Sequence, residues 1–230
     1  MRRGRISKDK HSDHTIAISK VSLPDDVAIS SALAPFGIVH SPALAEAIRK
    51  YMELLLRWNQ KISLTSIRDP REILQRHFGE SMFAARAVPI VRGRLVDIGS
   101  GAGFPGLALK LVSPELEVTL IEPNMKKSVF LAEVARTLGL SGVKLIAKRI
   151  EELSGLEESA DFVTCRAVRP DKRLLAWARA ALAAGGKCVL WLGAEDAATL
   201  RNESDWNWKA PIAVPMSTGR VLLAGKPHSR

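Results

Sequence analysis

In the segment Leu95-Val96-Asp97-Ile98-Gly99-Ser100-Gly101-Ala102-Gly103-Phe104-Pro105-Gly106, an apolar run leads directly into a glycine-dense turn and then a helix-forming stretch. Glycines tolerate positive φ and let the main chain approach a ligand closely, and the first turn of a following helix presents free N–H groups. Glu122 closes the next apolar run, Val118-Thr119-Leu120-Ile121, 21 residues after Gly101. A carboxylate there can accept hydrogen bonds from both hydroxyls of a ribose. Loop and carboxylate together point to an adenosine-containing cofactor at the carboxyl ends of two adjacent parallel strands.

Two cofactors fit that spacing. Gly101-Ala102-Gly103-Phe104-Pro105-Gly106 satisfies the dinucleotide pattern GxGxxG, which leaves an NAD(P)-dependent oxidoreductase open. Asp97, two residues before the first glycine, favours a cationic ligand, the amino group and sulfonium of S-adenosylmethionine, over a pyrophosphate that it would repel. Pro105, in the first helical turn, removes a donor that an anion would use. The residues thus favour S-adenosylmethionine, with Asp97, Gly99, Gly101, Gly103, Phe104 and Glu122 around it.

The elements that position these residues follow from periodicity. Ser41 caps and Pro42 opens a helix whose apolar residues Ile48, Tyr51, Met52 and Leu55 recur at helical spacing, ending near Trp58-Asn59. A second helix starts at Asp69-Pro70-Arg71-Glu72, read as a capping box, and buries Ile73, Leu74, Phe78 and Met82. After the glycine loop the pattern runs strand 117–121, helix 124–138, strands 143–147 and 161–165, helix 171–184 closed by Gly185-Gly186, and strand 187–192. Segments 212–214 and 220–224 make a final antiparallel hairpin. This alternation predicts an α/β fold: a doubly wound, mostly parallel, seven-stranded Rossmann-like sheet with an N-terminal helical element. Residues 1–22 are a basic mobile tail, 23–90 the helical element and 91–230 the cofactor-binding domain. Gly99 to Phe104, Glu122, Arg149-Ile150-Glu151 and Arg166 should meet in one crevice beyond the strand ends.

The chain has 230 residues, 47% of them hydrophobic, and a formal net charge of +10. A basic surface speeds encounter with polyanions, which points to nucleic acid. No run approaches the ~18 apolar residues of a membrane span, and no apolar segment follows the basic N-terminus, so the expectation is a cytoplasmic protein. Cys165 and Cys188 lack metal-ligand spacing, so no metal site is expected. Trp206 and Trp208 read as core filling.

These residues resemble the glucose-inhibited division protein B family, the small-subunit ribosomal RNA guanine-N7 methyltransferases. The likeness covers about residues 45–225. It rests on Leu56-Arg57-Trp58-Asn59, Leu64-Thr65-Ser66-Ile67-Arg68-Asp69-Pro70, Arg76-His77, the glycine loop, Lys126-Lys127, Arg149 with Glu151, and Arg166-Ala167-Val168. The resemblance implies S-adenosylmethionine held by Gly99, Phe104, Ile150, Glu151 and Arg166, and a guanine of 16S ribosomal RNA as acceptor. The expected partner is 16S ribosomal RNA, bare or within the 30S subunit or an assembly intermediate, with no membrane partner, and the protein is expected to be a monomer. Candidate RNA contacts are Asn59, Arg68, His77, Lys126, Lys127, Arg169 and Arg220. The chain departs from the pattern at Ser63, at Gly79-Glu80 and at Leu192-Gly193, where a lysine often precedes the glycine.

Guanine N7 carries a free lone pair at neutral pH, so no general base is expected and orientation carries the catalysis. No Asn/Asp-Pro-Pro-aromatic loop follows the fourth strand, which argues against exocyclic amines. Cys165 as a nucleophile for cytosine C5 is the weaker reading beside simple packing. The remaining alternative is a basic RNA-binding or ribosome-assembly protein without turnover.

Overall fold

The computed structural model describes residues 22–166, 170–202 and 205–228. The proposed basic tail, apart from Ser22, and Arg169 lie outside them.

Helix α1 (Asp26–Leu33), α2 (Pro42–Trp58), the single turn α3 (Pro70–Glu72), a π-helical stretch (Ile73–Gly79) and α4 (Glu80–Ala87) precede the first strand. The Ser41 hydroxyl accepts from the Leu44 amide and the Asp69 carboxylate from the Glu72 amide, as the capping residues require. The reciprocal half of the capping box does not form, because the Glu72 carboxylate instead accepts from Arg76 one turn on. Helix α1, which the sequence reading leaves out, is capped by Asp25 and buries Ile29, Ala32 and Leu33.

The strands are β1 (Arg92–Ile98), β2 (Glu115–Ile121), β3 (Val143–Ile146), β4 (Ala160–Arg166), β5 (Leu182–Gly193), β6 (Trp206–Trp208), β7 (Ile212–Ala213) and β8 (Arg220–Pro227). They form one sheet of order β3-β2-β1-β4-β5-β8-β6, with β7 also on β8. The first five pair in parallel, and β8 runs antiparallel to β5, β6 and β7. The sheet has eight strands, not seven. The extra one arises because β6 and β7 share one edge of β8 in series, pairing around Gly225 and Leu222. Pro211, which lacks an N–H, falls at the break between them.

Helices α5 (Gly106–Val112) and α6 (Met125–Thr137) pack with the N-terminal helices into one hydrophobic cluster; α7 (Lys172–Ala181) and α8 (Ala194–Leu200) contribute to a second. The first contains Tyr51, Phe78, Phe104, Phe130 and Leu107 together, so the helical element shares its core with the sheet domain. Helix α7 ends at Ala181, three residues before the sequence reading has it. There the Glu158 and Ser159 amides bond the Ala180 and Ala181 carbonyls, and Leu182 turns extended to pair with Ala160. The glycine pair 185–186 lies instead inside an irregular stretch of β5, where the register shifts.

Strand β1 connects through α5 toward β2 and β3, whereas β4 and β5 lie on its other side. That reversal opens a crevice beyond the carboxyl ends of β1 and β4, and the helical element covers it.

Candidate active site

A cleft of about 650 Å³ occupies the crevice, within the usual range for a small-molecule site. One end is made of main chain. Gly99, Gly101 and Gly103 adopt φ of 66°, 56° and 87°. Glu122, buried at the end of β2, accepts from the Gly101 amide through Oε2 (2.8 Å) and from the Asn124 amide through Oε1 (2.9 Å). Each oxygen keeps a further lone pair, so the carboxylate can hold the loop and still receive two hydroxyls. Tyr51 of α2 donates to the Ala102 carbonyl at 2.6 Å, and a Cβ on Gly103 would come within 2.1 Å of that hydroxyl. Burial raises the Tyr51 pKa well above the ordinary tyrosine value, so it remains a neutral donor.

Asp97 is fully buried beneath the loop and does not line the cleft. Its carboxylate accepts from the Thr164 hydroxyl (2.7 Å) and from the Gly106 amide (3.2 Å). Burial pushes its pKa up to about 6, against these hydrogen bonds. The sequence reading set Asp97 against the ligand; instead it acts through the scaffold, because it takes the leading amide of α5. A pyrophosphate would need that donor, so the dinucleotide alternative loses its anchor.

The other end is made of side chains. The π stretch carries Arg76 and His77 into the cleft, where Arg166 from β4 and Arg220 from β8 meet them. Arg166, only 11% exposed, donates to the Ser81 hydroxyl (2.9 Å), to the Arg76 and His77 carbonyls and to Glu80 Oε2 (3.0 Å). Glu80 also faces Arg220 at 3.3 Å, and its carbonyl accepts from Trp191 Nε1 at 2.9 Å. Burial raises the Glu80 pKa, while Arg166, Arg220 and Arg76 hold it down. Burial likewise brings Arg166 down to about 10, opposed by Glu80, so the guanidinium remains charged at neutral pH. The sequence reading has Arg166 touching the cofactor; most of its donors instead latch the sheet to the helical element.

Between the two ends, Phe104 is sandwiched. Tyr51 stacks on it at 5.2 Å and 10°, and His77 at 4.8 Å and 14°. His77 Nε2 lies 2.7 Å from Thr65 Oγ1, which also accepts from the Ile67 amide. Burial, with Arg166, Arg76 and Arg220 adding to it, lowers the His77 pKa to about 3. Asn59 folds the 59–67 loop that supplies Thr65: its Oδ1 accepts from the Leu64 and Thr65 amides and its Nδ2 donates to the Thr65 carbonyl.

The sequence-derived residues therefore separate. Gly99, Gly101, Phe104, Glu122, His77, Lys127, Arg166 and Arg220 line the cleft. Gly103 and Asp97 lie under it, and Asn59 braces its wall. Ile150 packs into the second hydrophobic cluster, Glu151 and Arg149 are exposed after β3, and Arg68 and Lys126 are exposed away from the lining. Cys165 is buried in the same second cluster, as packing requires. Tyr51, Thr65, Arg76, Glu80 and Trp191 are additions that spacing alone does not reveal. The one available signal was Glu80, an acidic residue on the apolar side of a helix.

Glu122 offers the ribose its free lone pairs, and the loop around Gly99 and Gly101 admits close main-chain approach.

The family model for rRNA small subunit methyltransferase G (GidB) matches residues 44–216. The chain is 40% identical over 180 residues to the ribosomal RNA small subunit methyltransferase G of Xylella fastidiosa, covering 75% of this chain and 82% of that one. It is 40% identical over 152 residues to the protein of the same name from Caldanaerobacter subterraneus subsp. tengcongensis, where the match covers 64% of each chain. Among solved structures, a ribosomal protein L11 methylase from Lactobacillus delbrueckii subsp. bulgaricus superposes with a TM-score of 0.55 at 13% identity, over 67% of this chain and 80% of that one, a likeness of fold. With the family match spanning most of its length, the chain belongs to the rRNA small subunit methyltransferase G (GidB) family.

Proposed function

We propose that the protein transfers the methyl group of S-adenosylmethionine to N7 of a guanine in 16S ribosomal RNA. The observation that carries this reading is the division of the cleft: a carboxylate-closed glycine loop at one end, an arginine wall at the other. Family membership supplies the ribosomal RNA.

S-adenosylmethionine, when bound, supplies an electrophilic methyl group. Glu122 and the loop around Gly99 and Gly101 hold it, with Phe104 as an apolar wall. Arg76, Arg220 and Lys127 meet the phosphates of the RNA. His77 stays neutral and engaged with Thr65, so it takes no proton. None is needed, since N7 presents its lone pair directly. Holding acceptor and donor in line contributes on the order of 7–11 kcal/mol.

The substrate is the 30S particle or a late precursor, and the enzyme acts as a cytoplasmic monomer. No described helix is long and apolar enough to cross a membrane. The test is labelled methyl transfer to 30S particles that lack the modification, with the site mapped by mild reduction and aniline cleavage. Label at one guanine N7 upholds the reading. Binding of S-adenosylhomocysteine without transfer would indicate an assembly role, and binding of NADH in its place would overturn the cofactor assignment.

A further inference from the structure

Arg76 and Arg220 line the cleft on one side and a second recess, of about 390 Å³, on the other. Gln75 and Arg76 enter this recess from the π stretch; Met216 and Thr218 enter it from the turn between β7 and β8. The two guanidiniums thus form a ridge between neighbouring hollows. Arg220 is fixed there, with Glu80 beneath it at 3.3 Å and the Ser217 hydroxyl accepting from its Nε at 3.0 Å.

Three features mark the recess as a place for a ligand. Arg76 Nε is buried with no hydrogen-bond partner, although its Nη1 donates to Glu72. The Gln75 amide, with two donors and an acceptor, makes no hydrogen bond among the described residues. Met216 stands 68% exposed at the turn with φ of 57°, a conformation that L side chains rarely adopt. Its thioether offers a polarisable apolar surface to a flat ring. The acidic groups of the recess, Glu72 and Glu80, are each paired with an arginine, so the floor suits a neutral base rather than another phosphate.

We propose that this recess binds the nucleotide adjacent to the target guanine. Its phosphate rests on the Arg76–Arg220 ridge, and its base lies against Met216 with Gln75 and Thr218 reading its edge. The proposal rests on the reading that the cleft takes ribosomal RNA. Guanine N7 faces the major groove, which in an RNA helix is too narrow for side chains, so the acceptor must come from an unpaired stretch. In a loop or at an end its neighbour is unpaired as well, and the base of that neighbour needs a seat of this kind.

The test compares wild type with Gln75→Ala, Met216→Ala, their double variant and Thr218→Val. Melting temperature, S-adenosylhomocysteine affinity, and KM and kcat on unmodified 30S particles are measured. The double variant should raise KM for RNA about tenfold while kcat stays within about twofold, because a lost base contact weakens substrate binding alone. Cofactor affinity should not move. An unchanged KM in all four variants overturns the proposal, and so does a parallel loss of cofactor affinity. If wild type itself gives no turnover, the functional reading falls, and filter binding of 16S RNA still decides: weaker binding by the double variant upholds the recess, equal binding rejects it.

Discussion

The two ends of the cleft are built by different means. At the β1–β2 end the cleft offers main-chain groups and the Glu122 carboxylate, which braces the loop as well, while the Asp97 and Tyr51 side chains fix the backbone from beneath. At the β4–β8 end it offers arginine side chains: one buried carboxylate, Glu80, fixes Arg166 and Arg220, and Glu72 pairs with Arg76. A backbone cradle fits a cofactor whose shape never varies. An arginine wall fits a flexible polyanion, for which charge matters more than outline. The helical element serves both ends, through the Tyr51 hydroxyl at one and the Glu80–Arg166 latch at the other.

Removing the organiser of the arginine end should give the largest effect. Glu80→Ala leaves two guanidiniums facing each other in a mostly buried site, and breaking such a pair costs about 3–5 kcal/mol. Urea unfolding checks this, and a loss below about 1 kcal/mol would mean that Arg166 is held by its backbone contacts alone. At the loop end, Gly103→Ala sets a Cβ 2.1 Å from the Tyr51 hydroxyl at a left-handed φ. We expect about a hundredfold weaker S-adenosylhomocysteine binding by calorimetry, partly restored by adding Tyr51→Phe, which removes the clashing oxygen but not the strain. If Tyr51→Phe restores nothing, the tyrosine is not what shapes the loop.

Glu122→Gln is milder and separates the ends most cleanly. The amide keeps one acceptor but loses the charge and half of the accepting capacity, so cofactor affinity should fall about tenfold. The KM for RNA should not change. A rise in that KM without a change in cofactor affinity would reverse the assignment of the two ends.

The sequence shows the first end more plainly than the second, for a physical reason. The glycine loop, Asp97 and Glu122 lie within 26 residues, so one strand–turn–helix–strand unit places them wherever it occurs. The spacing does not show that Asp97 faces inward, which depends on Thr164 of a strand far along the chain, and it brings Ile150 and Glu151 toward a cleft that they do not line. The arginine end joins residues 80, 166 and 220, and no local pattern connects them. Helix α1 was legible in its buried Ile29, Ala32 and Leu33, but α8 and β6 are too short for a period to show. The π stretch is a tertiary outcome as well: the Arg76 and His77 carbonyls that it presents are bonded by Arg166.

The smallest effect comes from two titrations of opposite sign, one at the loop and one beside the arginines. Asp97, with a native pKa of about 6, binds more protons folded than unfolded. The stability it contributes is present below the ordinary aspartate pKa and is lost as pH rises through 6. His77, with a native pKa of about 3, binds fewer. Its contribution is complete above the ordinary histidine pKa and is lost as pH falls from there toward 3. Between pH 4 and 6 the two slopes oppose, so the wild type should vary less with pH than either variant relative to it. Asp97→Asn, whose amide can still accept from Gly106 and donate to Thr164, should gain stability relative to wild type as pH rises from 4 to 6. His77→Gln should lose stability relative to wild type over the same interval. Urea midpoints at three pH values measure both differences, and equal slopes in all three proteins would show that neither group is desolvated as its surroundings imply.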